Sequence, residues 1–355
     1  MIQQKNYASQ YKLLKDSYDK IYKDIMINGY DVNGPYSNRL VEALKKITGR
    51  KYVFTTISGT GAIWAAIYAL DLIGKKVAVA GYNYEACVHP FATLCKPVFF
   101  DCDENMLLDI TKIPKHCDAL MLVNYNGNVV DYDKVKKKFK GKIIADCSQS
   151  LGAKYKGRND GYFGDVSIFA FGGGKPMGTR GFAGAIATDN KNIAHRIDCA
   201  LNMGKPGKTR YNKAETLGFR GASQELQCGL VYAGFKHLKR WHKQREKIIK
   251  KIWAELEHLP IRFIKGGKHC LSSYHKIPVE LDDRNDFIKF MKANGIDARL
   301  TYVTDWSKTF GSGKSMSMSQ RLSKRTCNLP LSPFFKDHEV NKIIDTVKKY
   351  FHRLT

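Results

Sequence analysis

Phe169-Ala170-Phe171-Gly172-Gly173-Gly174-Lys175-Pro176 is an apolar, strand-like run that breaks into three glycines and then a lysine. Three consecutive glycines free the backbone and let something approach it closely. The stretch is not a nucleotide-binding P-loop, because Pro176 stands where that motif needs the Ser or Thr that meets magnesium. Working outward, Lys142-Ile143-Ile144-Ala145-Asp146 is a second apolar run, closed by a carboxylate and followed by Cys147-Ser148-Gln149. Further upstream, Ser58-Gly59-Thr60-Gly61 lies between a strand-like and a helix-like segment. No Gly-x-Gly-x-x-Gly dinucleotide fingerprint joins a strand to a helix.

These runs belong to a longer alternation. Residues 53–57, 77–80, 97–101, 119–123, 142–146, 166–171 and 184–188 are short, β-branched or aromatic, and nearly continuously apolar, as expected for strands covered on both faces. Helix-type spacing separates several of them. Residues 61–72 place Ile63, Ala66, Ile67 and Leu70 on one side, and residues 131–139 start from Asp131 as N-cap. The alternation predicts an α/β fold, a three-layer domain around a mostly parallel sheet of about seven strands. One long helix is expected over 224–259. Beyond it, a strand at 273–279 and helices at 284–294 and 340–351 predict a smaller C-terminal α+β domain, and 311–319 reads as a mobile loop. The expected division is 1–235 for the N-terminal segment and large domain and 236–355 for the small domain, entered by the long helix.

With 355 residues, 43% of them hydrophobic, the chain can bury a large core. The opening Met1-Ile2-Gln3-Gln4-Lys5 is polar and lacks the apolar region of a signal peptide, and no apolar run reaches the length of a membrane span. Nine scattered cysteines without a Cys-x-x-Cys pair point to reduced thiols and a cytoplasmic location, not to a disulfide framework. The ten histidines show no metal-ligand spacing, so no metal site is expected. The net charge of +26 admits three origins: lysine spread over solvated faces, a field that gathers anionic small substrates, or nucleic-acid binding. The basic clusters at 134–138 and 236–240 fit helix surfaces and lack interleaved stacking aromatics, which makes nucleic acid the least favoured of the three.

A lysine at a strand end, a carboxylate closing an earlier strand and a small-residue turn at a helix start are the parts that hold pyridoxal 5′-phosphate (PLP). Lys175 could form the imine and later move a proton. Asp146 could keep the pyridine nitrogen protonated. Gly59 and Thr60 offer amides at a helix N-terminus for the phosphate. Tyr84, after the 77–80 strand, could cover the flat ring, and Gln149 could reach it from the side. Taken singly, each has a plainer reading as a cap, a surface side chain or a partly buried tyrosine.

In combination, Ser58-Gly59-Thr60, Lys96-Pro97-Val98-Phe99-Phe100-Asp101, Asp146-x-x-Gln149-x-x-Gly152-Ala153, Gly164-Asp165, Lys175 and Leu329-Pro330-Leu331-Ser332-Pro333 resemble the DegT-type sugar aminotransferases, PLP enzymes of the type I fold. The resemblance implies Lys175 as Schiff-base lysine, Asp146 as pyridinium partner, Gln149 beside the ring oxygen, Tyr84 stacked on the ring, and Gly59 and Thr60 at the phosphate. It implies L-glutamate as donor, a nucleotide-linked keto-sugar as acceptor, and a homodimer with shared active sites. Two positions depart from the family pattern. Ala170 replaces the serine five residues before the lysine, and Arg220 falls where the partner subunit usually offers an asparagine to the phosphate. A guanidinium there could offset the lost hydroxyl. The altered Arg220 segment leaves open another anionic keto acceptor, such as a keto-cyclitol. A non-catalytic, nucleic-acid-binding relative is the reading from outside enzymology. Tyr302, Lys314 and residues 312–319 are weaker candidates for the acceptor side.

Overall fold

The computed structural model describes residues 1–207, 211–302, 304–311 and 316–354. Seven strands form the main sheet: β1 (Tyr52–Thr56), β2 (Lys76–Ala80), β3 (Lys96–Phe100), β4 (Ala119–Val123), β5 (Lys142–Asp146), β6 (Val166–Ala170) and β7 (Gly184–Thr188). Their spatial order is β3-β2-β4-β5-β6-β7-β1. The pairs β2/β3, β2/β4, β4/β5 and β5/β6 are parallel. Only β7 runs against its neighbours, pairing antiparallel with both β6 and β1. The sheet is the mostly parallel one expected from the sequence, with each strand within a residue of its expected bounds.

The continuous apolar strands divide their residues between two cores, because successive side chains of a strand point to opposite faces. Ala78, Ala80, Leu120, Leu122 and Ala145 join Leu40, Leu44 and Val231 on one face. Val77, Val79, Met121, Ile144 and Ile168 join Ile63, Ala66 and Ile197 on the other. The first face is covered by helices Tyr7–Asn28, Pro35–Thr48 and Glu225–Phe235, and the second by Gly59–Ala69 and Lys191–Leu201. A third core lies under a four-stranded antiparallel sheet (Arg262–Phe263, Ile277–Glu280, Thr326–Leu329, Arg299–Leu300), packed by helices Leu238–Leu256, Arg284–Ala293 and Asp337–His352.

Three expectations need correction. The helix expected over 224–259 is two helices, Glu225–Phe235 and Leu238–Leu256. At the junction, the His237 amide bonds back to Gly234 O at 2.9 Å, a tighter turn than the α-helix makes, and Gly234 sits where a Cβ would come within 2.7 Å of Met177 Sδ. The strand expected at 273–279 begins only at Ile277. Before it, the Ser273 and His275 amides bond to Gly127 O and Asn126 O, and Tyr274 takes φ +50°. The segment read as a loop over 311–319 contains a helix start: Ser317–Arg325 is helical, with Asp101 accepting from the Met318 and Ser319 amides at 3.0 and 2.9 Å. Residues 312–315, including Lys314, lie outside the described residues.

One buried cation holds the sheet edge. The Arg50 guanidinium donates to Gly161 O (2.7 Å), Phe163 O (2.6 Å), Gly164 O (2.8 Å) and Ser167 Oγ (3.0 Å), and it pairs with Asp189 at 2.9 Å. Truncation orphans several buried acceptors at once, so Arg50→Ala should lower stability by about 3 kcal/mol. A denaturant midpoint within error of wild type would contradict this.

Candidate active site

The parallel strands β1, β2, β5 and β6 end on one edge, and each delivers a site residue there, the edge where open α/β sheets bind ligands. After β1 come Ser58, Gly59 and Thr60, and after β2 comes Tyr84. Asp146 is the last residue of β5, and Lys175 follows β6 by a short loop. All six line one cavity of about 310 Å³, together with Cys87, Ser148, Gln149, Ala170, Phe182, His275, Lys276 and Tyr302. Larger clefts, of about 470 Å³ beside Tyr7 and Arg180 and about 580 Å³ beside Asp198 and Arg220, contain neither Lys175 nor Asp146.

The loop that carries Lys175 is folded back on itself. Phe171 N bonds Ala183 O, Thr179 N bonds Phe171 O, and Lys175 N bonds Gly172 O, all within 2.7–2.9 Å. From outside, Tyr7 OH donates to Gly173 O at 2.8 Å and Gln10 Nε2 to Gly178 O at 3.1 Å. The Lys175 amine stands 5.5 Å from the Tyr84 ring centroid. Asp146 is buried. Its Oδ1 accepts from the Ser148 amide at 2.8 Å and its Oδ2 from Cys87 Sγ at 3.1 Å. Burial, and then the Asp146 charge, push the Cys87 thiol well above its ordinary range, so it stays a protonated donor.

The glycine at position 59 has a local cause: a Cβ there would lie 2.7 Å from the Ala170 Cβ. Helix Gly59–Ala69 therefore starts hard against the end of β6. Ser58 caps it by accepting from Gly61 N at 3.0 Å. The Gly59 and Thr60 amides belong to the first turn, which has no intrahelical acceptors. Gln149 is tied at both ends of its amide. Its Oε1 accepts from Asn126 N at 3.2 Å, and one Nε2 hydrogen goes to Tyr302 OH at 2.8 Å. The Tyr84 and Tyr302 ring centroids are 5.8 Å apart. Burial raises the pKa of both phenols, that of Tyr302 strongly.

The fold thus brings Lys175, Asp146, Gly59, Thr60, Tyr84 and Gln149 together, with Tyr302 beside them. It does not bring Arg220, which lies in the separate Asp198 cleft, its backbone bridged to Asn202. Cys87, His275 and Lys276 had no functional reading from sequence. His275 and Lys276 lay in a presumed strand, whereas the structure leaves them ahead of it, next to the positive-φ residue Tyr274, where both line the cavity. The fold also brings His195, Cys199 and Glu215 within 4.8 Å of one another, a grouping not evident from spacing. His195 Nε2 and Glu215 Oε2 are already 2.7 Å apart, and neither residue lines the lysine cavity.

The residues present fit PLP. First-turn amides suit a phosphate, a buried carboxylate suits a protonated ring nitrogen, an aromatic ring faces the lysine, and among the described residues the only carboxylate lining the cavity is Asp146. Such a sheet, with a lysine loop and a carboxylate on its C-terminal edge, defines a PLP-dependent transaminase of the type I fold. Residues 14–348 match the model of the DegT/DnrJ/EryC1/StrS aminotransferase family, and the chain belongs to that family, whose members use PLP. Among its relatives, the UDP-2-acetamido-2-deoxy-3-oxo-D-glucuronate aminotransferase of Pseudomonas aeruginosa is 24% identical over 94% of this chain and 96% of its own. The GDP-perosamine synthase of Vibrio cholerae is likewise 24% identical, over 94% and 96%. The structure of S. venezuelae DesV superposes with a TM-score of 0.92 at 22% identity, covering 98% of each chain. No helix among the described residues is long and apolar enough to cross a membrane.

Proposed function

We propose that this chain moves an amino group from L-glutamate to a nucleotide-linked keto-sugar, as a cytoplasmic homodimer. The observation that carries the reading is the convergence of Lys175, Asp146 and the N-terminus of helix Gly59–Ala69 on one cavity. Family membership and the printed activities of the relatives support the nucleotide-sugar acceptor. All nine cysteines are free, which fits a reducing compartment. The large domain, 1–235, holds the cofactor, and the small domain, 236–355, supplies the wall that faces it.

Bound there, PLP supplies the electron sink that makes the donor's Cα acidic. The protein does the rest. Gly59 and Thr60 would hold its phosphate, Tyr84 would cover its ring, and Gln149 holds Tyr302 beside that place. Asp146 would face the ring nitrogen. Lys175 Nζ takes the proton from the donor's Cα, and the same amine returns a proton when the sugar ketone is aminated. Purified protein should be yellow, L-glutamate should bleach it, and a nucleotide-linked keto-sugar should restore the colour. Coloured protein that L-glutamate leaves unchanged would overturn the donor, and colourless protein that takes up no PLP would overturn the reading.

In a homodimer, Arg220 reaches the phosphate of the other subunit and offsets Ala170. Exposed apolar side chains at Phe182, on the cavity rim, and at Tyr211 and Leu217, ahead of Arg220, favour such a covering partner. Losing a charge-assisted contact to phosphate, Arg220→Ala should weaken PLP binding about tenfold or more. Unchanged affinity in a cofactor titration would remove Arg220 from the site.

A further inference from the structure

Helix Lys191–Leu201 packs its apolar side on the sheet through Ile193, Ile197 and Ala200. His195 and Cys199 stand one turn apart on it, at the spacing that puts two side chains next to each other on a helix. Glu215 comes to them from the chain that returns toward Arg220. The ligating atoms of the three lie within 4.8 Å of one another. His195 Nε2 is 2.7 Å from Glu215 Oε2 and 3.7 Å from Cys199 Sγ. Among the described residues no other three His, Cys, Asp or Glu side chains meet in this way.

The backbone fixes the meeting. Gly204, just past the helix, takes φ +81°. Its amide donates to Cys199 O at 2.8 Å, and its carbonyl accepts from the Glu215 amide at 2.7 Å. A Cβ at Gly204 would collide with Thr216 O, so the two segments approach this closely only because the residue is glycine. Gly204 thereby ties the backbone of Cys199 to that of Glu215. Farther on, Phe219 N bonds Ala200 O at 2.8 Å and Gly221 N bonds Leu201 O at 2.9 Å. The side chains differ in freedom. Cys199 is buried, whereas the His195 and Glu215 side chains are 51% and 52% exposed and can turn toward an ion that arrives from solvent.

An exposed His–Glu pair accounts for two of the three groups and adds little stability by itself. It does not account for the thiol. A neutral imidazole nitrogen offers one proton or one lone pair, and the Glu215 carboxylate already takes it. A cation would satisfy all three side chains. We propose that His195, Cys199 and Glu215 bind a zinc ion that ties the chain at Glu215 to helix Lys191–Leu201. Imidazole, thiolate and carboxylate are donor types that zinc takes, and three protein ligands leave a fourth position for water. With bonds of about 2.0–2.3 Å, tetrahedral ligand atoms stand roughly 3.3–3.8 Å apart. The His195–Cys199 separation already matches, and the His195–Glu215 contact has only to widen into that range. On binding, the Cys199 S–H bond breaks, the Sγ–Zn bond forms and the proton leaves to water. His195 gives the Nε2 lone pair and keeps its ring proton on Nδ1. One thiolate and one carboxylate then balance the dication. None of the three residues lines the lysine cavity, so the site is independent of the transaminase chemistry.

The test adds Co²⁺, a coloured stand-in for zinc, to tag-free holoenzyme, and then zinc in competition. Wild type should take up one Co²⁺ per chain with the absorption of a tetrahedral, thiolate-bound ion in the red, clear of the yellow cofactor, and zinc should displace it. Bound zinc should raise the melting temperature and slow tryptic cleavage after the exposed Lys213. His195→Asn and Glu215→Gln, at half-exposed positions, should melt like metal-free wild type and bind Co²⁺ at least about tenfold more weakly. Cys199→Ala should lose the thiolate signature. Absence of stoichiometric Co²⁺ uptake by wild type overturns the proposal, and so does equal affinity in wild type and the three variants. Stoichiometric uptake that leaves cleavage at Lys213 unchanged overturns the tie to Glu215.

Discussion

Lys175→Ala should lose the yellow colour and the borohydride-trapped peptide adduct, and its turnover should fall by about 10⁴-fold, the upper range for removing a positioned proton-transfer group. The same substitution should leave the fold intact, and the structure gives the sign. The Lys175 side chain makes no hydrogen bond or ion pair among the described residues, and its charge opposes those of Lys5 and Lys276. Removing it relieves repulsion. The cofactor-free variant should therefore melt no lower than cofactor-free wild type. A variant that keeps measurable turnover, or in which the trapped adduct moves to Lys276, would displace Lys175 from its role. Among the described residues, Lys276 is the one alternative amine lining the cavity, which makes peptide mapping decisive.

The strands were legible in the sequence because both faces of the sheet are covered, so each strand is a short apolar block bounded by turns. Asp146 and Lys175 were legible for a related reason. One closes such a block and the other follows one through three glycines, and β5 and β6 prove to be direct neighbours. The break near His237 was not legible, because the apolar spacing runs straight through it. His275 and Lys276 were hidden because they sit in what reads as a strand, next to Tyr274, whose positive φ the sequence does not announce. Serine-rich 317–319 looked like loop because the capping Asp101 is supplied from far upstream.

Asp146→Asn should have the opposite effect on the fold and a comparable effect on function. The substitution keeps the shape, and its amide oxygen can still accept from the Ser148 amide, but it removes the only carboxylate that the described residues place in a cavity also holding Lys175 and Lys276. Cofactor-free Asp146→Asn should therefore melt below wild type, where cofactor-free Lys175→Ala should not. On the loaded enzyme, a carboxylate facing a protonated ring nitrogen at hydrogen-bond range is worth about 4 kcal/mol at the effective dielectric of a protein site, which corresponds to roughly a thousandfold in rate. Turnover should fall by that order while the borohydride adduct stays on Lys175, because the lysine itself is untouched. Separation of the two readouts is the distinctive result: Lys175→Ala removes both adduct and turnover, whereas Asp146→Asn removes turnover alone. If Asp146→Asn retained wild-type turnover, the carboxylate at the end of β5 would be a turn cap for Ser148 and nothing more. The ring nitrogen would then need another partner, and among the described residues the cavity lining contains no other acid to provide one.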